Sequence, residues 1–373
     1  MTDQRIAEMR VHCLSIPAKA VHSHGSGDVA AINVALCELR TDSGLTGWGE
    51  ASPWPVFTGT LEGSAAALHT HLRPVVLGRD PVLVDPIMTA AERALVGHTE
   101  AKAALECALL DLVGQIAELP VSELLGGRHR DSIPLSFSIA NPDFDADLDD
   151  VAAMWDAGVR IYKIKTGFSD HRFDLMRLEK LRARYGEEIR LRIDYNQGMR
   201  AYDAIRRIKD LEAFAPEFVE QPVRMFEREA LAEITRAVDV PIMADESVMD
   251  TRDAFRGAAL RMADIFSLKI AKSGGMRRCL EIAAIARAAG IEVYGGCMFE
   301  TSIAHTAGAH LMAAVPELVL GCEFYMSTYY AKADIAVDPF PVRNGDVHVP
   351  TAPGLGTAPD PDMLDRYRTE LLV

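Results

Sequence analysis

Hydrophobic and polar positions change their period near residue 128. Before that point, apolar runs typical of strands cover residues 5–16, 28–41 and 45–50. From residue 61 to about 119 the pattern becomes helical, and a single apolar stripe along residues 100–116 is its clearest example. Together these elements predict an α+β domain over residues 1–128.

Beyond residue 128, short apolar runs alternate with amphipathic stretches of helical length. The runs cover residues 133–140, 161–166, 189–195, 217–221, 241–244, 265–270, 292–294 and 318–323. Eight strand–helix units in series predict a closed parallel barrel of the (β/α)₈ type over residues 129–333. The Pro- and Gly-rich segment 334–373 does not continue the pattern, so we expect it to pack back on the first domain.

Composition narrows the class of protein. The chain of 373 residues suits a barrel plus a smaller domain, and its net charge is −15. Since no basic run is present, nucleic-acid binding is disfavoured. The absence of an apolar leader or a run of membrane-spanning length predicts a cytoplasmic protein that does not bind membranes. The six cysteines lie far apart without a C-x-x-C pair, which indicates reduced, mostly buried thiols.

Three acidic residues fall where successive predicted strands end, which in such a barrel is where the active site lies. Asp194, Glu220 and Asp245 are 26 and 25 residues apart, about one strand–helix unit. We therefore expect their carboxylates at one height of the barrel, where they would repel each other without a cation between them. Oxygen ligands favour Mg²⁺, with Mn²⁺ as the alternative.

Lysines accompany these carboxylates. Lys163 and Lys165 lie on one face of the second strand because side chains alternate, and Lys269 ends the sixth strand. We predict that Lys165 and Lys269, on opposite sides of the metal, remove or deliver a proton beside a substrate carboxylate. The metal and Lys163 would stabilise the enediolate. Lone strand-end charges are usually caps or solvated residues, but that interpretation does not explain the whole set.

Four further residues near these charges are predicted to have supporting or purely structural roles. Arg192 and Asn196 share a face with Asp194, which predicts that they support the metal ligands. Lys272 is out of phase with Lys269 on a strand, so we expect it to cap a helix or face solvent. Cys297, near the end of the seventh strand, is interpreted as a packed thiol.

Several short motifs fall at these positions and elsewhere in the chain. They are Gly47-Trp48-Gly49-Glu50, Leu124-Leu125-Gly126-Gly127-Arg128, Lys163-Ile164-Lys165, Asp194-Tyr195-Asn196-Gln197, Glu220-Gln221-Pro222, Ala244-Asp245-Glu246-Ser247, Lys269-Ile270-Ala271-Lys272-Ser273-Gly274-Gly275, Tyr294-Gly295-Gly296-Cys297-Met298-Phe299-Glu300-Thr301-Ser302 and Pro353-Gly354-Leu355-Gly356. This set resembles the muconate lactonizing enzyme subgroup of the enolase superfamily. The resemblance implies an α/β fold with a modified TIM barrel, (β/α)₇β, and an N-terminal α+β capping domain that the C-terminal tail completes. It also implies Mg²⁺, Lys165 and Lys269 as acid/base catalysts, and a homo-oligomer, often an octamer.

The resemblance implies a small carboxylate substrate and leaves several reactions open. Residues 262–310 look most like muconate cycloisomerase, so we expect a muconate-type lactonizing enzyme. The alternatives are a racemase or epimerase of an N-substituted amino acid or proline betaine, and a hydroxy-acid dehydratase. A non-catalytic barrel protein would have lost a ligand or a lysine, and this chain keeps them all. A Schiff-base aldolase would not need three carboxylates.

Substrate contacts are expected from two loops that close over the site in this family, residues 21–27 and 52–58. The residues predicted to contact substrate are His22, His24, Trp54 and Phe57 from these loops, with Glu300 and Glu323 from the barrel. The eighth strand, Glu323-Phe324-Tyr325, lacks the second acid typical of dipeptide epimerases, which disfavours a substrate ammonium. Trp54, Phe57 and Tyr325 could instead form an aromatic cage for a betaine.

Overall fold

The N-terminal sheet has three antiparallel strands in the order β1-β2-β3. The computed structural model describes residues 4–316 and 318–369, so the ends of the predicted first and last segments lie outside it. The strands are β1 (Ile6–His24), β2 (Gly27–Thr41) and β3 (Thr46–Ala51). β1 runs past its predicted end because pairing with β2 resumes at His22 after an irregularity that begins at Pro17. The predicted loop 21–27 is therefore the tip of a long hairpin.

Helices cover the predicted region between this sheet and the barrel. They are α1 (Leu61–Ala66), a π-helical turn (Ala67–Leu72), α2 (Arg73–Val76), α3 (Val84–Ala94), α4 (Thr99–Ala117) and α5 (Val121–Leu124). α4 is buried and lies directly against β3. A Cβ at Gly49 would come within 2.0 Å of the Ala104 carbonyl oxygen, so glycine is what allows the two backbones to approach this closely.

Seven parallel strands form most of the barrel. They are β5 (Ser136–Ile139), β6 (Ile161–Lys165), β7 (Arg190–Asp194), β8 (Val219–Glu220), β9 (Ile242–Ala244), β10 (Ile265–Leu268) and β11 (Glu292–Gly295), in consecutive spatial order. The predicted first strand is split, because β4 (Ser132–Pro134) pairs instead with a C-terminal strand. At the eighth position Cys322 bridges Leu135 and Gly295 and closes the barrel, where a longer strand was expected.

Helices follow each of these seven strands. They are α6 (Phe144–Asp156), α7 (His171–Tyr185), α8 (Ala201–Glu212), α9 (Arg228–Ala237), α10 (Thr251–Leu260), α11 (Ile270–Ser273) with α12 (Met276–Ala289), and α13 (Ser302–Ala314). After the eighth position the chain makes only a π-helical turn (Met326–Tyr330) before it leaves the barrel. The (β/α)₇β architecture is thereby confirmed.

The C-terminal segment returns to the N-terminal domain. It contains β12 (Val342–Arg343), β13 (Asp346–His348) and α14 (Pro361–Tyr367). Thr369 N donates to Cys13 O at 2.9 Å, and Asp111 of α4 accepts from both Trp48 N and Leu355 N. The tail thus completes the capping domain as expected, while the exact domain limits stay a prediction.

All six cysteines are free and buried, which confirms the interpretation drawn from their spacing. Across residues 4–316 and 318–369, none of the helices combines the length and the apolar character that a membrane crossing requires.

Candidate active site

Strand register brings the predicted charges to one level at the carboxyl end of the barrel. Lys165 on β6 is the register partner of Asp194 on β7, and Asp194 is the partner of Glu220 on β8. Asp245 directly follows β9, and Lys269 directly follows β10. The spacing in the chain therefore translates into a single buried cluster, as the strand-length units predict.

Each catalytic lysine predicted from the sequence contacts a predicted metal ligand. Lys165 Nζ lies 2.5 Å from Asp194 Oδ2, and Lys269 Nζ lies 2.6 Å from Asp245 Oδ2. Lys163 Nζ lies 2.9 Å from Glu220 Oε2 and also contacts Glu323. β6 and β10 occupy the second and sixth of eight barrel positions, so Lys165 and Lys269 approach the carboxylates from opposite sides.

The carboxylates have the chemistry of a site for a hard divalent cation. Burial, together with the charge of Asp194, raises the pKa of Glu220 to about 8. In the described part of the chain, Glu220 Oε1 is buried without a hydrogen-bond partner. Burial alone would also raise the pKa of Asp245, but Lys269 and Lys272 hold it well below its usual range. An all-oxygen donor set with an unpaired carboxylate oxygen fits Mg²⁺.

Lys272 corrects a sequence prediction, because it is fully buried and its Nζ donates to Asp245 Oδ1 at 2.8 Å and to Asp245 O at 2.6 Å. The prediction assumed that the strand period continued past Lys269. Instead α11 begins at Ile270, and a helical turn places residues three apart on the same side. Lys272 thus holds Asp245 in place through two hydrogen bonds. The sequence signal for its inward position was a helical turn that begins after Lys269 and ends at Gly274-Gly275.

The cluster faces a small cavity. Its polar lining is formed by Ser138, Lys165, Asn196, Lys269 and Glu323. The opposite wall is apolar and comes from both domains. Its members are His24, Trp54, Cys297, Met298, Phe299, Tyr325 and Met326. The lining would direct the charged end of a bound small molecule toward the lysines and its remaining part toward the aromatic rings.

The four predicted contacts from the capping domain take different places. His24 and Trp54 line the cavity, with ring centroids 5.1 Å apart. His22 lies behind, stacked on His24 at 4.7 Å, and Phe57 reaches the Lys269 ammonium with its ring centroid 5.6 Å away. Burial, and then the neighbouring charges, hold the pKa of both imidazoles well below the usual range. Both imidazoles are therefore neutral, and His24 presents an uncharged ring to the cavity.

Two of the three residues predicted for an aromatic cage, Trp54 and Tyr325, line the cavity, whereas Phe57 lies over the Lys269 ammonium. No ring contact within residues 4–316 and 318–369 joins Tyr325 to Trp54 or Phe57; Tyr325 packs on Phe137, with centroids 4.9 Å apart. Phe299, which the sequence interpretation did not single out, stands at 5.6 Å from Trp54 instead. Its position two residues beyond Cys297, at the end of the seventh strand, was the available signal.

The two glutamates that the sequence predicts as substrate contacts from the barrel occupy different places. Glu323 lines the cavity, contacts Lys163 and accepts a hydrogen bond from Cys297 N at 3.1 Å. Glu300 lies behind the wall, where its Oε1 accepts from Met298 N at 3.0 Å. Only Glu323 is therefore positioned to face a bound molecule directly.

Of the two residues predicted to support the metal ligands, only Asn196 contacts a predicted ligand. Asn196 N donates to Asp194 Oδ1 at 2.8 Å. Arg192 instead donates to Glu217 Oε2 at 2.7 Å and to Leu320 O at 2.6 Å, so the prediction for Arg192 was wrong. It faces inward like Asp194, but two strand residues place it roughly 6.6 Å deeper, at a different layer of the barrel.

Two family models match the chain. The Mandelate racemase / muconate lactonizing enzyme N-terminal domain matches residues 7–126, and the Enolase C-terminal domain-like family matches residues 146–363. The chain is 34% identical to Muconate cycloisomerase 1 of Pseudomonas putida over 372 residues, 98% of each protein. It is 32% identical to L-Ala-D/L-Glu epimerase of Bacillus subtilis (strain 168) over 356 residues, 94% of this chain and 96% of the epimerase.

The fold comparison agrees with these similarities. The chain aligns with the crystal structure of muconate lactonizing enzyme from Pseudomonas fluorescens complexed with muconolactone at a TM-score of 0.95. The two sequences are 32% identical, and the alignment covers 99% of this chain and 100% of the other. The resemblance inferred from the short motifs is confirmed over the whole chain.

Replacing Lys272 with methionine tests its role as the anchor of Asp245. We expect the substitution to lower the free energy of unfolding by about 3 kcal/mol. This value is at the lower end of the range for breaking a buried ion pair, because Asp245 keeps its contact with Lys269. We also expect Mg²⁺ binding at least roughly tenfold weaker, as when the partner of a metal ligand is removed. Urea unfolding and calorimetric Mg²⁺ titration measure the two effects. The exposed Lys209→Met is the control, and equal Mg²⁺ affinity in both variants contradicts the anchoring role.

Proposed function

Because the chain belongs to the mandelate racemase/muconate lactonizing enzyme family, we propose that it is an isomerase of the muconate cycloisomerase type, lactonizing muconate or a close diacid. The observation that carries the proposal is that Lys165 and Lys269 line one small cavity from opposite barrel strands, beside three buried carboxylates. This arrangement suits chemistry through an enolate beside a substrate carboxylate.

Asp194, Glu220 and Asp245 would hold Mg²⁺, with Mn²⁺ as an alternative. Bound there, the cation supplies positive charge that binds a substrate carboxylate and stabilises negative charge developing on it. Lys163 adds a fixed charge at the same place. Although burial lowers its pKa, Glu220 and Glu323 raise it well above the usual value, so Lys163 remains an ammonium and does not act as a base.

In the proposed reaction, an oxygen of one muconate carboxylate bonds to the fourth carbon of the muconate chain, counted from that carboxyl carbon, and closes a five-membered lactone. The electron pair of the adjacent double bond moves onto the carbon beside the second carboxylate. A lysine ammonium at the cavity, Lys165 or Lys269, donates the proton that completes the new C–H bond and regains a proton from solvent. The neutral wall of His24, Trp54 and Phe299 limits the entry of water.

A second candidate function is racemisation or epimerisation of an N-substituted amino acid. The presence of one lysine on each side of the cavity supports it, since one can remove an α-proton while the other returns a proton on the opposite face. A dipeptide fits less well, because Tyr325 rather than a second acid stands near Glu323 on the wall. A hydroxy-acid dehydratase would use the same lysines on a substrate with a β-leaving group.

Proton NMR in D₂O distinguishes these functions. With Mg²⁺ and cis,cis-muconate we expect muconolactone carrying one deuteron on the carbon beside its carboxylate, since the lysine ammonium exchanges with solvent. Unchanged muconate, together with loss of the α-proton signal from N-acylamino acids or proline betaine, would move the assignment to the racemase class. Protein lacking both lysines is the control for uncatalysed exchange.

Replacing either cavity lysine by alanine tests the proton-transfer role. For Lys269→Ala we expect turnover to fall by at least about 10²–10⁴, since an acid/base group contributes that much. The fold should persist because Asp245 keeps Lys272. The turnover of Lys165→Ala should fall by a similar factor, and the turnover of the exposed Lys209→Ala should stay unchanged. Initial rates and circular dichroism measure these effects, and a Lys269→Ala enzyme active on every substrate refutes the two-lysine mechanism.

Removing divalent cations tests the carboxylate site. We expect EDTA to abolish turnover and Mg²⁺ or Mn²⁺ to restore it. We further expect Mg²⁺ to raise the thermal unfolding midpoint, because a ligand of the folded state stabilises it. Asp245→Asn should lose most of this midpoint shift. Activity that persists after complete chelation counts against the three carboxylates as a metal site.

The assembly and the location of the protein also remain proposals. We infer a homo-oligomer, often an octamer in this family, in the cytoplasm. Sedimentation velocity at micromolar concentration would give the subunit number.

A further inference from the structure

A second group of metal-ligating side chains begins at Cys297 in the apolar wall of the cavity and extends behind it. Cys297, Glu300 and His305 are all buried, and their ligand atoms lie within 4.8 Å of one another. Cys297 directly follows Gly296 at the carboxyl end of β11, and His305 is on the first turns of α13. The group contains none of the carboxylates assigned to Mg²⁺.

His305 is oriented as a metal-binding imidazole. Its Nδ1 lies 3.0 Å from Ser327 Oγ, and the ring packs against Phe324 and Phe340. Its Nε2 lies 3.9 Å from Glu300 Oε2, too far for a hydrogen bond, and is buried without a partner among the described residues. Histidine ligands usually have one ring nitrogen held by a neighbour in this way, which leaves the other for the metal.

The other two side chains are held at the same place. Glu300 Oε1 accepts from Met298 N at 3.0 Å, which leaves Oε2 directed toward His305. Cys297 lines the substrate cavity on its other side, and its Sγ lies 3.1 Å from Glu323 O. An ion that reaches the cavity therefore meets the thiol first.

We propose that Cys297, Glu300 and His305 form an inhibitory site for Zn²⁺ or a similar borderline transition-metal ion. One sulfur, one nitrogen and one carboxylate oxygen are a donor set that zinc prefers and Mg²⁺ avoids. The adjacent carboxylate cluster offers only oxygen. The protein thus presents two neighbouring sites of different ligand chemistry, one for a hard and one for a softer cation.

Binding requires a small contraction and releases protons. Zinc–ligand bonds of about 2.0–2.3 Å place tetrahedral ligand atoms roughly 3.3–3.8 Å apart. His305 Nε2 and Glu300 Oε2 already lie 3.9 Å apart, and no pair of ligand atoms in the group is more than 4.8 Å apart, so only a small approach is needed. A Zn–S bond replaces the thiol S–H bond, and the thiol proton passes to solvent. Burial raises the pKa of Glu300 to about 8, so this carboxyl group also gives up a proton when it binds the ion.

Zinc binding should disturb the active site through Glu323. Cys297 donates to Glu323 through both its backbone N–H and its thiol, and Glu323 contacts Lys163. When the thiolate turns toward the metal, its hydrogen bond to the Glu323 carbonyl is lost and the cavity wall moves. Zn²⁺ therefore inhibits even when Mg²⁺ saturates the carboxylate site.

Cobalt(II) is the probe that tests the site without substrate. With the enzyme held in excess Mg²⁺, a Co²⁺ titration should produce a thiolate-to-cobalt charge-transfer band that saturates near one equivalent and disappears when Zn²⁺ is added. Cys297→Ser should abolish the band. His305→Gln should weaken Co²⁺ binding at least roughly tenfold, because one ligand is lost. The buried Cys279→Ser is the matched control and should keep the band.

Two outcomes would overturn the proposal: no thiolate band at any Co²⁺ concentration, or a band that survives in Cys297→Ser. X-ray absorption on the zinc-loaded native protein gives a test that needs no variant, since a first shell without sulfur also refutes the site. Inhibition is measured separately, as loss of turnover with Zn²⁺ in excess Mg²⁺. Because the spectra require no substrate, failure of this site and failure of the proposed reaction are distinguishable.

Discussion

The burial of several ammonium groups at the mouth of the barrel is the constraint on which the rest of the molecule depends. Lys163 and Lys272 are completely buried, and Lys165 and Lys269 nearly so. A buried ammonium is costly unless a carboxylate pairs with it, and a buried carboxylate has the same need. Each charge is therefore retained only because neighbouring elements deliver a partner at the same height.

The cavity is built from two domains, which contribute different kinds of side chain. The barrel supplies the charges, while the capping domain supplies a neutral wall through His24 and Trp54. The two parts are joined close to the site, because Glu50 at the end of the N-terminal sheet accepts hydrogen bonds from the backbone and hydroxyl of Thr301. Strand β11 and the helix after it are thus positioned by contacts with the capping domain as well as by the barrel.

The segment after β11 lies between the two inferred cation sites. Cys297 contacts Glu323 on the cavity side and approaches Glu300 and His305 on the other. The all-oxygen carboxylate group and the mixed sulfur–nitrogen–oxygen group differ in the cations they prefer. Glu323 connects the two groups, since it contacts both Cys297 and Lys163.

The sequence alone determined the fold class and the charged cluster, because both depend on regular periods. Strands that recur once per strand–helix unit must bring Asp194, Glu220 and Asp245 to one level, and the alternation of side chains directs Lys163 and Lys165 inward. Only the tertiary structure decided what happens where a period changes or where distant segments meet. Lys272 turns inward because a helix begins right after Lys269, and Arg192 lies a layer too deep although its face is correct. The capping wall, in which Phe299 rather than Tyr325 meets Trp54, arises from packing between domains far apart in the chain, for which no local pattern exists.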